Sequence, residues 1–162
     1  MSTDEPVTRA SFSGRLQPIV APRPLSLLPE RVWSDEEWDR IRLGYRAQDM
    51  DEKWNVLAEG DVVFLHRSWT GFGVVEATFA PLDGGGRRIT GAVVERDGDR
   101  YTGTDDAYDC LMLELVLSAI VLGEPARELR ARLVEQVRRA AGREDVPAGL
   151  VQHSALGLRS GS

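Results

Sequence analysis

The chain of 162 residues holds one cysteine, two histidines and one lysine. Each scarcity removes a class of chemistry. A single cysteine, Cys110, rules out an internal disulfide and a zinc site built on several cysteines. It sits in a strongly apolar run, where a small buried residue is the ordinary reading. No histidine or cysteine stands at ligand spacing, so neither a metal nor a cofactor is expected. No apolar run approaches the 18 or so residues of a membrane span. The opening "MSTDEPVTRA" lacks the apolar core of a secretory signal. A cytoplasmic protein that does not engage membrane is therefore expected. The net charge of -6 argues against bulk binding of nucleic acid.

What is present suits one globular domain. Apolar residues make up 42%, an ordinary share for a folded chain of this length. Residues 1–28 are polar and proline-rich, and read as a flexible arm that "LSLL" partly docks. Residues 29–142 read as the domain. The first helix starts at Ser34, where Ser34 and Glu37 make an S-x-x-E capping box. Trp33 and Trp38 occupy the two positions of a hydrophobic staple. Gly44 is a natural end for that helix.

From Trp54 the apolar period changes to two. Strands are expected at 54–58, 62–67, 72–79 and 89–95, with turns at "EGD", "SWTG" and "PLDGGG". A short fifth strand is expected at Tyr101, after "DGD". The run "YDCLMLELVLSAIVLG", capped by Asp105 or Asp106, is apolar on nearly every side and reads as the central buried helix. "ARELRARLVEQVRRAAG" reads as a surface helix with a stripe at Leu129, Leu133 and Val137. Residues 143–162 read as a loose tail, and His153 within it is given no role. The expected fold is α+β: an antiparallel meander of four or five strands, with an N-terminal helix and two C-terminal helices packed on one face.

Folding the second strand back about Gly60 gathers the unusual side chains. Lys53 and Trp54 fall beside His66, Arg67 and Ser68, with Trp69, Thr70 and Gly71 in the adjoining turn. Lys53 and Arg67 supply cations, and Ser68 and Thr70 supply hydroxyls. Gly71 permits a turn whose N–H groups converge on an anion. Trp69 and Trp54 offer faces for a flat ring. That mixture matches a phosphate joined to a base or a nicotinamide. The competing structural readings are an Arg67 paired with nearby carboxylates, a core His66 and a lid-like Trp69. "LDGGGRR" lacks both the P-loop pattern and a G-x-G-x-x-G spacing, and reads as a long hairpin loop.

"DMDEKW" at 49–54 and "HRSWTG" at 66–71 resemble the shared block of a family of small bacterial proteins. Members of that family occur beside or joined to modules that handle ADP-ribose or toxin–immunity traffic. The resemblance covers Asp49–Glu76. It implies a bacterial protein and an ADP-ribose-like ligand or a toxin partner, and it carries no settled chemistry. Three functions follow for comparison. The first is a binding or immunity-type domain holding a phosphate-bearing ligand or a toxin at the hairpin rim. The second is a small hydrolase of a nucleotide or ADP-ribose derivative, with Glu76, Asp51 or His66 as its base. The third is an interaction protein that dimerises through its helices, without a ligand site.

Overall fold

In the computed structural model, which describes residues 6–12 and 14–157, the period-two stretch forms the centre of one sheet. The elements in chain order are a 3₁₀ turn at Arg9–Phe12, β1 (Pro22–Pro24), α1 (Asp35–Ile41), β2 (Trp54–Glu59), β3 (Val62–Arg67), β4 (Gly73–Pro81) and β5 (Arg87–Glu95). Then come α2 (Asp106–Leu115), a π-helical continuation at Val116–Val121, α3 (Arg127–Ala141) and α4 (Ala148–Leu156). The sheet runs β1-β5-β4-β3-β2 with every neighbouring pair antiparallel. The class is α+β.

Local sequence explains the starts of the helices. Ser34 Oγ accepts from the Glu37 N–H at 3.1 Å, and the Glu37 carboxylate accepts from the Ser34 N–H at 2.8 Å. Trp33 and Trp38 on either side of this cap are buried. Asp105 caps α2 by accepting from the Ala107 N–H. From Met112 to Leu122 only Glu114 escapes full burial. The run is therefore the core helix that its all-round apolarity predicts.

The alternation of the strands divides the sheet's two sides. Trp54, Val56, Val63, Leu65, Ala77, Phe79, Ile89 and Val94 join Met112, Leu113, Leu117, Leu133 and Ala155 in one buried cluster. Asn55, Leu57, Phe64, His66 and Glu76 alternate with them on the other side, where Arg9 of the N-terminal segment also lies. Arg9 stands 5.0 Å over the Phe64 ring and pairs with Glu59 at 2.9 Å. The Gln17 N–H donates to Gly71 O, and the Gly73 N–H donates to Gln17 O, both at 2.8 Å.

Three expectations change. The fifth strand is not at Tyr101 but at Pro22–Pro24, paired with Val93–Glu95. After "DGD" the Tyr101 N–H turns back to Asp97 O, and its ring is buried. That leaves the edge of β5 open to a short, proline-flanked strand, a place where missing N–H groups cost little. The stretch expected to be a flexible arm is held by backbone bonds at Val7, Gln17 and Leu25 and by Glu95, whose carboxylate accepts from the N–H groups of Val20 and Ala21. Such bonds leave no apolar period to read. The stretch expected to be a loose tail contains α4, which buries Val151, Ala155 and Leu156. The indole N–H of Trp54, sealed in the core, donates to Ala155 O at 2.8 Å. Residues 1–5 of the arm and 158–162 of the tail lie outside the described residues.

Candidate functional site

The hairpin closes about Gly60 with Trp54 opposite Arg67 and Asn55 opposite His66. This register brings the block to one end of the sheet and also divides it. Arg67 shares the helix side with Trp54, and its guanidinium lies 4.4 Å over the fully buried indole. Among the described residues no carboxylate stands at ion-pair distance from it. Burial pulls the Arg67 pKa down, against the neighbouring Tyr101 and Tyr108. Lys53 lies one residue off this pair, with its stem against Gly157. The two cations share the end of the hairpin, but neither is on the lining of the cleft that opens beside Trp69. A one-residue offset in a pleated strand sends side chains to different sides.

Most of the block holds loops together. Glu52 is buried, and its carboxylate accepts from Tyr45 Oη at 2.8 and 2.9 Å and from the Gln48 N–H at 2.7 Å. Its carbonyl accepts from Ser68 Oγ at 2.7 Å, and Lys53 O accepts from the Ser68 N–H at 2.9 Å. His66 is 2% exposed, with Nδ1 2.8 Å from Gly71 O. A carbonyl only accepts, so Nδ1 carries the proton. Burial lowers the His66 pKa, which keeps the ring neutral. Thr70 Oγ1 accepts from the Phe72 N–H. Gly71 has φ +78°, and a Cβ there would run into the carbonyl oxygen of Arg15. Only glycine lets the arm approach so closely.

Trp69 behaves differently. Its three counterparts, Trp33, Trp38 and Trp54, are at most 5% exposed, whereas Trp69 is 64% exposed. Its indole N–H donates to Met50 O at 3.1 Å, which steadies the ring without covering it. Beside it opens a cleft of about 420 Å³. Phe12, Arg15 and Leu16 of the arm form one wall, residues 46–50 another, and Asn55, Ser68, Trp69 and Gly71 the remainder. The cations of this cleft are Arg15 and Arg46 rather than Lys53 and Arg67. Arg46 also lies 5.9 Å over the Phe12 ring. Sequence reasoning misses both arginines because each arrives by long-range chain return. The available signal was the pair Gly44 and Gly71, where a Cβ would strike Val56 O and Arg15 O respectively.

The expected bases do not converge on this cleft. Glu76 pairs across from Phe64 near Arg9, and burial raises its pKa while Arg9 opposes the rise. Asp51 is exposed and donates its N–H to Asp49 Oδ1. Asp49 is the carboxylate on the lining.

A second polar group of residues occupies the helix side. Arg96 Nη2 lies 2.6 Å from Asp106 Oδ1 and 2.7 Å from Asp109 Oδ2. Tyr101 Oη donates to Asp109 Oδ1. The Ser26 hydroxyl and N–H, then Arg96, hold Asp106 at about 2. Burial raises the Asp109 carboxyl above its usual range, against Tyr101 and Arg96. Asp109 Oδ2 faces Arg96 as an ion pair without a hydrogen bond, and the group ties β5, α2 and the arm together. Burial pushes the Cys110 thiol up to about 11, which suits an inert side chain.

Among the described residues no three His, Cys, Asp or Glu side chains are grouped to hold a metal. No described helix is long and apolar enough to cross a membrane. Compared with family models, with curated proteins and with solved structures, the chain finds no match.

Proposed function

We propose that the chain is a binding domain, suited to an immunity-type role, that holds a phosphate-bearing, nucleotide-like ligand in the cleft beside Trp69. The observation that carries this reading is the exposure of Trp69, at 64%, on a cleft it shares with Arg15 and Arg46. A solvent-facing indole held by a single hydrogen bond is a stacking surface for a flat ring. Two arginines beside it supply forked donors for phosphate. The volume falls within the range of small-ligand sites. The hydrolase reading has less support, because the neutral His66 and Glu76 are both off the lining.

A protein partner with an acidic edge is the second reading. Met50, 71% exposed beside Trp69, favours it, because Trp, Met and Arg are enriched at interfaces.

Calorimetric titration with ADP-ribose, NAD and simple nucleotides is the test. Binding is expected, and Arg46→Ala should weaken it by about ten- to a hundredfold, the value of one charge-assisted contact. Arg138→Ala, on α3 and outside the cleft, should leave it unchanged. A parent protein that binds none of these ligands would leave the protein-partner reading ahead.

A further inference from the structure

Asn55 is the one polar side chain on the cleft lining that is itself buried, at 8% exposure. Its Oδ1 accepts from the Ala47 N–H at 2.8 Å. A backbone N–H only donates, so this bond fixes which end of the amide is oxygen. The NH2 end is turned away from Ala47, and among the described residues no acceptor meets it. The NH2 nitrogen is not one of the buried groups left without a partner, so it is open to the cleft, where a ligand's acceptor can replace water.

We infer that Asn55 sets the specificity of the cleft by donating to the inner edge of a ligand's ring, so that rings carrying an oxo group there are preferred to rings carrying an amino group. This rests on the nucleotide reading of the cleft and narrows it. Arg15 and Arg46 are exposed, whereas Asn55 is buried. A phosphate taken down to a neutral amide would lose its hydration for little return, so it stays at the mouth with the arginines. The uncharged ring edge then goes inward, with the face of Trp69 beside it. The oxygen of Asn55 is already engaged, so the floor chiefly donates. An amino group there would set N–H against N–H and leave both unpaired, and sites built to hydrogen-bond one group reject its mismatched analogue strongly. Hypoxanthine and uracil fit this floor better than adenine and cytosine. ADP-ribose is then a weaker ligand than its hypoxanthine counterpart.

Two matched pairs of nucleoside monophosphates test the inference by calorimetry: inosine against adenosine, and uridine against cytidine. The parent protein should bind the oxo member of each pair at least about tenfold more tightly. Asn55→Asp keeps an acceptor for the Ala47 N–H and removes the donor, so the preference should vanish or reverse. Equal affinities within both pairs, or an unchanged preference in Asn55→Asp, would overturn the inference and leave the nucleotide reading intact. If none of the four binds, that reading fails and the role of Asn55 with it.

Discussion

Two polar regions of the molecule use similar residues in opposite ways. On the helix side, the charges of Arg96, Asp106 and Asp109 are paired with one another, and Tyr101 donates to Asp109. On the cleft side, Glu52, Ser68 and His66 are spent on loops, and they leave Trp69, the Asn55 NH2, Arg15 and Arg46 facing open space. The first group is structural because it is closed. The second is a candidate site because its scaffold is closed and its lining is not. Residue type alone does not separate them. Arg67 looked like a ligand-binding cation, yet it lies over a core tryptophan.

Breaking the closed group should give the largest effect. Asp109 is fully buried, and its removal strips Tyr101 of its acceptor and Arg96 of one of two carboxylates. Asp109→Ala should cost about 3 kcal/mol in urea unfolding, the low end for a broken buried pair because Asp106 still faces Arg96. A loss below ~1 kcal/mol would mean that the group is not the latch described.

Gly71 tests whether the cleft's wall is set by the backbone. Gly60 and Gly71 both have positive φ, but a Cβ at Gly60 meets nothing within 4 Å whereas one at Gly71 strikes Arg15 O. Gly60→Ala should cost about 1 kcal/mol from backbone conformation alone. Gly71→Ala should cost more, about 2–3 kcal/mol, and loosen the arm. Hydrogen exchange at Gln17, whose N–H donates to Gly71 O, should accelerate in the second variant only. Equal costs in the two variants would sink the account of a close approach.

These comparisons also show what a single sequence discloses. The capping box at Ser34 and the register about Gly60 were legible because they depend on residues a few positions apart. Trp69 was legible as an odd residue in a turn. The arm was not, because it is held by backbone bonds and by the Glu95 carboxylate, which impose no period. Arg15 and Arg46 reach the cleft only once the arm and the 46–50 loop close on the hairpin. Helix α4 escaped because it is short and buries only Val151, Ala155 and Leu156 while Leu150 stays exposed, and its hold on Trp54 runs through a carbonyl.

His66 offers a smaller effect, seen against pH. Its folded pKa is depressed by burial, so near its usual value of about 6.5 the unfolded chain takes up a proton that the folded chain resists. The contribution is complete above about pH 6.5 and is lost as the pH falls through the folded value. The slope of this loss should reach at most about 1.4 kcal/mol per pH unit. His66→Asn, which keeps an N–H donor for Gly71 O, should remove this component of the pH dependence. Identical curves for parent and variant between pH 6.5 and 5 would show that His66 titrates as freely in the fold as out of it.

The smallest expected change is in the stability of Trp69→Ala. For a core tryptophan such as Trp54, truncation to alanine costs about 3–5 kcal/mol, from lost burial and the cavity left behind. Trp69 has little burial to lose at 64% exposure. Its single hydrogen bond, to Met50 O at 3.1 Å, joins two exposed residues that water can satisfy equally well. The turn around it is held independently by the Ser68 N–H to Lys53 O and by the Gly71 N–H to Arg67 O, both at 2.9 Å. The variant should therefore unfold within about 0.5 kcal/mol of the parent, the usual range for surface substitutions, while any ligand stacked on the ring is lost. Urea unfolding and calorimetry on one preparation separate the two results. A stability loss above ~2 kcal/mol would make Trp69 a lid over the core, and the contrast between the closed group and the open cleft would fail at Trp69.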